Sequence, residues 1–357
     1  MYRRDFIINT IFLGCLGSLF TGCKNSSEDR QNLKNDKFYF RSKEDLPKRI
    51  QLEACSLCQL NCPECMARRY EKQAPKDWLG YLKFDDFKKF VDDNEFINEI
   101  ELANKGEIFL NPELDEIIKY AYYKDVYLTA TTGVNLNNVS EKTLENLVKY
   151  KFSILFIALD GATPETYKIY RRGGDFNRVI DNIKKINYYK KKYSSEYPKL
   201  VWQFIPFGHN EHEIDLAKQK AKELNMKIEF RRNYSPNYSP VKNKKLVEQK
   251  TGMKIFHTKN EAYQERLKEQ KLFACYQSLK SPQIDYNGDL LCHCRVSTAK
   301  FSANAFKDGL LSALNSPDFI YAKHMLTDLS IPPKEGIPCT RCPKYKFLRR
   351  NNQIISL

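Results

Sequence analysis

Three cysteines, Cys58, Cys62 and Cys65, fall in the stretch Cys-Gln-Leu-Asn-Cys-Pro-Glu-Cys, directly after the β-like run Arg49-Ile50-Gln51-Leu52-Glu53-Ala54. A closed structural zinc site wants four protein ligands, typically as two C-x2-C knuckles. The C-x3-C-x2-C spacing offers three thiolates instead. An iron–sulfur cube held by three cysteines keeps one iron free for a substrate or cofactor. The spacing therefore points to a reactive cluster. Cys55, just upstream, reads as packing in a strand-to-loop turn.

A second constellation lies near the C-terminal end: Cys275, Cys292, Cys294, Cys339 and Cys342. Pro282 to Leu291 forms two alternating runs about Asn287-Gly288, a strong hairpin signal. Cys275 precedes that hairpin, Cys292 and Cys294 close it, and Cys339-Thr340-Arg341-Cys342 is a C-x2-C knuckle. On spacing alone, four of these could hold either zinc or an iron–sulfur cluster. The chain has 11 cysteines, and their grouping in short spacings is metal-like, unlike a disulfide framework. Such ligation needs a compartment that keeps thiolates reduced.

The elements that must position these residues alternate short apolar runs with amphipathic ones, the mark of parallel β/α units. Strands are predicted at Arg49–Ala54, Glu99–Ala103, Val126–Thr131, Ile154–Leu159, Leu200–Phe207 and Lys227–Arg231. Helices are predicted at Lys83–Val91, Leu114–Tyr122, Glu141–Lys149, Phe176–Tyr193 and Glu213–Leu224. Six strands are too few for a closed eight-stranded barrel but suffice for an open one. In such folds chemistry gathers at the carboxyl ends of strands. Cys58, Glu107, Thr131, Asp160 and the Phe207-Gly208-His209-Asn210 segment all lie there. His209 and His212 are read as loop polarity near that mouth.

On these residues the chain resembles the radical S-adenosylmethionine (radical SAM) enzymes. Their C-x3-C-x2-C loop follows the first strand of a partial (β/α)6 TIM-like barrel and carries a [4Fe-4S] cluster, whose free iron binds S-adenosylmethionine (SAM). Their Gly-Gly-Glu-like segment follows the second strand. Here Gly106 and Glu107 match its second Gly and its Glu, while Lys105 replaces the first Gly. Leu159-Asp160-Gly161-Ala162 resembles the end of the fourth strand, and Tyr170 to Phe176 the stretch beyond it. The resemblance implies metal ligation by Cys58, Cys62 and Cys65, and SAM binding near Gly106, Glu107, Asp160 and Arg172. It also implies reductive SAM cleavage to a 5′-deoxyadenosyl radical that abstracts a substrate hydrogen.

The C-terminal cysteines are similar to the "twitch" form of the SPASM-type auxiliary domain, a small α+β appendage. That similarity implies one auxiliary [4Fe-4S] cluster on Cys275, Cys294, Cys339 and Cys342, with Cys292 as the alternative to Cys294. The domain expectation is a signal-like or tether segment with its linker over 1–36, the barrel over 37–240 and a connecting segment over 241–272. The auxiliary domain follows over 273–345 and a tail over 346–357. The implied activity is a small-molecule, sugar- or cyclitol-like oxidation fed by flavodoxin or ferredoxin. A peptide-modifying maturase is the alternative. From another class, the rival is a non-catalytic zinc protein on nucleic acid.

Composition bears on that rival. The 357 residues carry a formal net charge of +15, which invites an anionic partner. The basic residues are scattered, however, and the densest run, Lys184 to Lys192, reads as the wet face of a helix, so nucleic acid is not expected. Hydrophobic content of 42% is that of a globular chain. At the N-terminus, Arg3-Arg4, an apolar run and Leu19-Phe20-Thr21-Gly22-Cys23 look like a twin-arginine lipoprotein signal. A cytoplasmic catalytic body, tethered through this segment, is expected because SAM and low-potential donors are cytoplasmic. An exported lipoprotein is the alternative.

Overall fold

In Arg49-Ile50-Gln51-Leu52 apolar and polar side chains alternate, so a strand there turns one row toward a core and the other away from it. That strand is β1 (Arg49–Leu52) in a computed structural model that describes residues 34–65, 72, 75–233, 235–258, 260–261, 264–265, 281–292 and 300–354. Five further strands follow: β2 (Glu99–Glu101), β3 (Tyr127–Val134), β4 (Ile154–Ala158), β5 (Lys199–Phe204) and β6 (Lys227–Phe230). Between them run α1 (Phe84–Asp93), α2 (Leu114–Tyr123), α3 (Glu141–Lys149), α4 (Pro164–Tyr170), α5 (Phe176–Lys192) and α6 (Ile214–Glu223). α7 (Lys244–Thr251) follows β6. All six strands pair in parallel with their chain neighbours.

The sheet does not close. Its order is β6-β5-β4-β3-β2-β1-β7-β8-β9, where β7 is Gln283–Ile284, β8 Asp289–Leu291 and β9 Lys300–Asn304. The hairpin expected about Asn287-Gly288 is therefore present, and Gly288 takes φ +90° at its turn. What the hairpin does was not legible in the sequence: β7 pairs in parallel with β1, Gln51 beside Gln283 and Leu52 beside Ile284. The C-terminal strands thus extend the sheet that carries the first cysteine loop. α8 (Leu310–Leu314), α9 (Pro317–Thr327) and α10 (Pro343–Arg350) complete this part.

The two faces of the sheet differ in kind. Ile50, Leu52, Ile100, Leu128, Leu155, Ile157, Trp202 and Phe204 are buried in one core with apolar helix residues such as Phe87, Ile117, Leu147 and Ile183. The alternate positions are also enclosed but mix polar with apolar side chains: Gln51, Glu101, Thr129, Gln203 and Gln283 are buried, as are Phe156, Ala158 and Val201. The chain divides into a segment ending at Tyr39 and a body, Phe40–Leu357. In the described part of the first, Phe38 N donates to Asp36 Oδ1 at 2.8 Å.

Element boundaries shift where side chains take over backbone bonds. β5 ends at Phe204 because Ile205 N donates to Asp160 Oδ1 (2.7 Å) and Phe207 N to Asn210 Oδ1 (2.7 Å). β3 runs on to Val134 through an irregularity after Ala130, where Gly133 takes φ +106°. α4 is an addition to the expected elements. Its signal is local: Thr163 caps Thr166 N and Pro164 occupies the first turn.

Candidate functional site

The Cys58–Cys65 loop leaves β1 at the carboxyl edge of the sheet. Ser56 N donates to Gly80 O (2.9 Å) and Asn61 N to Arg172 O (2.8 Å), which fasten the approach to the loop and its middle. Cys62 packs with Leu60, Tyr170 and Phe207 in a small apolar cluster separate from the main core, with Cys58, Cys65, Ile205 and Tyr238 against it. The Tyr170 and Phe207 rings lie 4.7 Å apart, and Tyr238 stands edge-on to Phe207 at 5.8 Å. Burial pushes the Cys58 thiol up to about 12, with Glu107 adding to the effect. Burial also raises Cys62, against the pull of Arg171. None of the three is in a disulfide.

Among the described residues two side-chain N–H donors reach these sulfurs. Arg171 Nη1 lies 3.8 Å from Cys62 Sγ, and Asn135 Nδ2 lies 3.8 Å from Cys58 Sγ. Gln59 Nε2 holds Asn135 Oδ1 at 2.8 Å. Asp160, fully buried with φ +51° just past β4, accepts from Arg171 Nε at 2.8 Å and also from its Nη2. Burial works against the Arg171 charge, yet Asp160 and Cys62 hold it protonated, well above its usual range. Arg172, the arginine expected at the site, has an exposed side chain whose Nε faces Ile169 O at 3.4 Å. Among the described residues it gives the loop only its carbonyl. The arginine at the cysteine loop is Arg171.

Gly106 is a glycine for a steric reason. A Cβ there would stand 2.3 Å from Cys55 O and 2.5 Å from Leu57 O, both backbone atoms of the cysteine loop. Its neighbours are fixed on both sides. Lys105 N and Gly106 N donate to Glu53 Oε1 at 2.9 and 3.1 Å, and Glu107 N donates to Leu57 O at 2.8 Å. Glu107 accepts Asn135 N at 2.6 Å, so Asn135 links this carboxyl to Cys58. Burial raises Glu53 and Glu107 each to about 7, against hydrogen bonds that favour the charge. Lys105 Nζ lies 3.5 Å from Asp285 Oδ2, which Lys300 Nζ approaches at 3.4 Å; Lys105 and Asp285 are both buried.

His209 stacks on Phe207 at 5.1 Å and shares a 2.7 Å hydrogen bond with Ser239 Oγ, while His212 is exposed. Of the C-terminal cysteines, Cys292, Cys339 and Cys342 are buried. The expected ligands Cys275 and Cys294 lie outside the described residues, as do Arg3, Arg4 and Cys23. Among the described residues no three His, Cys, Asp or Glu side chains converge on a single metal ion. A cluster in which several irons share the thiolates does not ask for that convergence.

This geometry coincides with a match in sequence: residues 53–218 fit the Radical SAM superfamily model. The match covers just under half of the chain. That superfamily is one of enzymes, and its domain implies a [4Fe-4S] cluster and SAM. No curated protein matches the chain. Among solved structures, SuiB of Streptococcus suis bound to the precursor peptide SuiA is similar with a TM-score of 0.57 at 15% identity, over 77% of this chain and 66% of that one. The chain thus spans just under two thirds of that protein, and the likeness is one of fold. BtrN in complex with AdoMet and 2-DOIA gives 0.41 at 11% identity, covering 85% and 86% of the two chains. The FeFe-hydrogenase maturase HydG of Carboxydothermus hydrogenoformans gives 0.40 at 18%, covering 76% and 67%. The matched stretch begins at Glu53, the residue that grips the Lys105–Gly106 backbone, and includes both Asn135 and Arg171. Neither of the last two belonged to the site residues expected from the sequence.

Proposed function

We propose that Cys58, Cys62 and Cys65 hold a [4Fe-4S] cluster and that Gly106, Glu107 and Asp160 line the adjoining SAM site. The observation that carries this is the joining of three separate segments at one loop. Glu107 N is bonded to Leu57 O at 2.8 Å, Asn135 reaches Cys58 and Arg171 reaches Cys62. The residues fit the group. Buried thiols that resist ionisation are held as thiolates once a metal coordinates them, and N–H donors aimed at cluster sulfurs tune its potential. When bound, the cluster and SAM together supply a 5′-deoxyadenosyl radical, hard chemistry that belongs to the cofactor. The chain's part is positioning. Asp160 orients Arg171, Glu107 orients Asn135, and Leu60, Tyr170, Phe207 and Tyr238 keep water from the thiols.

We assign the substrate to the class of small polar molecules, sugar- or cyclitol-like. The support is the set of enclosed polar side chains Gln51, Glu101, Thr129, Gln203 and Gln283 on one side of the sheet, interrupted at β4 by Phe156 and Ala158. An auxiliary cluster on Cys275, Cys294 or Cys292, Cys339 and Cys342 would accept the substrate electron, making the net reaction an oxidation. Flavodoxin or ferredoxin would supply the first electron, with the body in the cytoplasm. The second reading, a peptide-modifying enzyme, is favoured by the fold likeness to a peptide-bound structure.

Anaerobic reconstitution tests the assignment. The protein is expected to be brown and to bind about eight irons, the sum of two four-iron clusters. Cys58→Ala should lose roughly half the iron and all SAM cleavage, because only the open-site cluster goes. Release of 5′-deoxyadenosine by Cys58→Ala under dithionite, or a colourless zinc-loaded protein, would overturn it. Deuterium transfer into 5′-deoxyadenosine from a cyclitol or from a peptide separates the two substrate classes.

A further inference from the structure

The strands β1 to β6 are parallel, so their amino ends share one edge, opposite the cysteine loop. Tyrosine and lysine crowd that edge. α2 ends in Tyr122-Tyr123 before Lys124, α3 ends in Lys149 before Tyr150-Lys151, and α5 ends in Lys190-Lys191-Lys192 before Tyr193. β3 starts at Tyr127, β5 at Lys199 and β6 at Lys227. Tyr123 is 66% exposed and Tyr127 61%. The rings of Tyr122, Tyr123 and Tyr150 pack on one another at 5.5, 5.8 and 6.2 Å. Lys151 Nζ sits 5.9 Å from the Tyr122 ring and Lys149 Nζ 5.4 Å from the Tyr150 ring. Lysine in a last helical turn suits the helix dipole. That explains the charges but not the exposed rings.

We infer that this edge rests on an anionic phospholipid surface, with the cysteine loop turned away from it. Tyrosine combines an apolar ring with a polar tip and suits the headgroup level. Lysine lays its stem on apolar surface and leaves its charge in the polar layer. Some lysines of the edge already hold carboxylates, Lys124 with Asp92 at the acidic end of α1, Lys192 with Glu145 and Lys199 with Glu196. Lys149, Lys151 and Lys191 have no ion pair among the described residues.

The chain itself names the occupant. Residues 40–48, which lead into β1, run along this same edge: Lys43 Nζ donates to Asp93 O at the end of α1 (2.7 Å), and Asn98 N donates to Lys48 O (3.0 Å). Upstream in sequence stands the apolar run from Phe6 to Phe20 that ends near Cys23. An apolar anchor and a basic patch on the body are the two signals that stable membrane attachment takes. Single-stranded nucleic acid is disfavoured by ring geometry. The three rings meet at 68°, 55° and 58°, steeply inclined to one another, so they present no parallel platforms for base stacking.

The test uses the full chain with vesicles of phosphatidylcholine alone or with brominated phosphatidylglycerol. Tryptophan fluorescence is read in Tyr123→Trp and, as control, in Tyr188→Trp on the exposed side of α5. Quenching is expected in Tyr123→Trp with the anionic vesicles and not in Tyr188→Trp. Each lysine at an anionic surface changes partitioning about fivefold, so Lys149→Gln with Lys151→Gln should weaken the quenching titration roughly 25-fold. Equal quenching at positions 123 and 188, or none at 123 while the chain remains vesicle-bound, would overturn the inference. Loss of poly(U) binding in the double lysine variant, with vesicle quenching unchanged, would overturn it in favour of nucleic acid.

Discussion

Arg171 spans Asp160 and Cys62. Its Nε lies 2.8 Å from the buried carboxylate and its Nη1 3.8 Å from the thiol. A buried acid thereby fixes the direction in which a positive charge meets the cysteine loop. Removing that charge strands Asp160, which is fully buried. Arg171→Ala is therefore expected to cost about 3–5 kcal/mol of stability and to lower iron retention. Arg172→Ala should stay within about 0.5 kcal/mol, as exposed positions do. Urea melts and iron assays on the two variants check the contrast; equal losses would contradict it.

Gly106→Ala should be far worse than an ordinary glycine change. The new methyl meets the Cys55 and Leu57 carbonyl oxygens at 2.3 and 2.5 Å, and backbone cannot swing aside as a side chain can. The expected loss is at the top of, or beyond, the about 1–3 kcal/mol of usual overpacking. Denaturant midpoints measure it, and a wild-type midpoint would show that the cysteine loop is not held against this segment.

The metal-free protein should lose stability as pH rises from about 4.5 to about 7. Burial lifts Glu53 and Glu107 from the ordinary 4.5 to about 7. Within that window the folded chain binds more protons than the unfolded one, so their contribution is full below it and gone above it. Glu53→Gln should flatten the slope. Urea midpoints at pH 5, 6 and 7 give the sign, and a midpoint that climbs across the window counts against the two buried carboxyls.

Gln283→Leu is expected to leave stability unchanged or to raise it. Gln283 is 1% exposed, and among the described residues neither its amide nitrogen nor its oxygen has a hydrogen-bond partner. Replacing an unsatisfied buried polar group by an apolar one of similar shape removes a desolvation cost. Thermal melts decide; a clear drop would mean that the amide has a partner in the folded protein.

The sequence by itself determined the β/α order and the cysteine spacing, because both are local. A short continuous apolar run writes a strand into residues 154–158, and helical spacing writes a helix into residues 214–223. Ser140 at an N-cap likewise marks the start of α3. Tertiary structure decided what depends on distant partners. Arg171 and Arg172 are chemically alike, and only the Asp160 carboxylate, brought close by the end of β4, selects the first. Short runs around Asn287-Gly288 specify a hairpin but not the strand it will join, and pairing with β1 fixes that. Glu53, Lys105 and Asp285 are charges anywhere along the sequence. They become a buried network only where β1, β2 and β7 lie side by side, since burial, which penalises each charge alone, is what makes their mutual contacts matter.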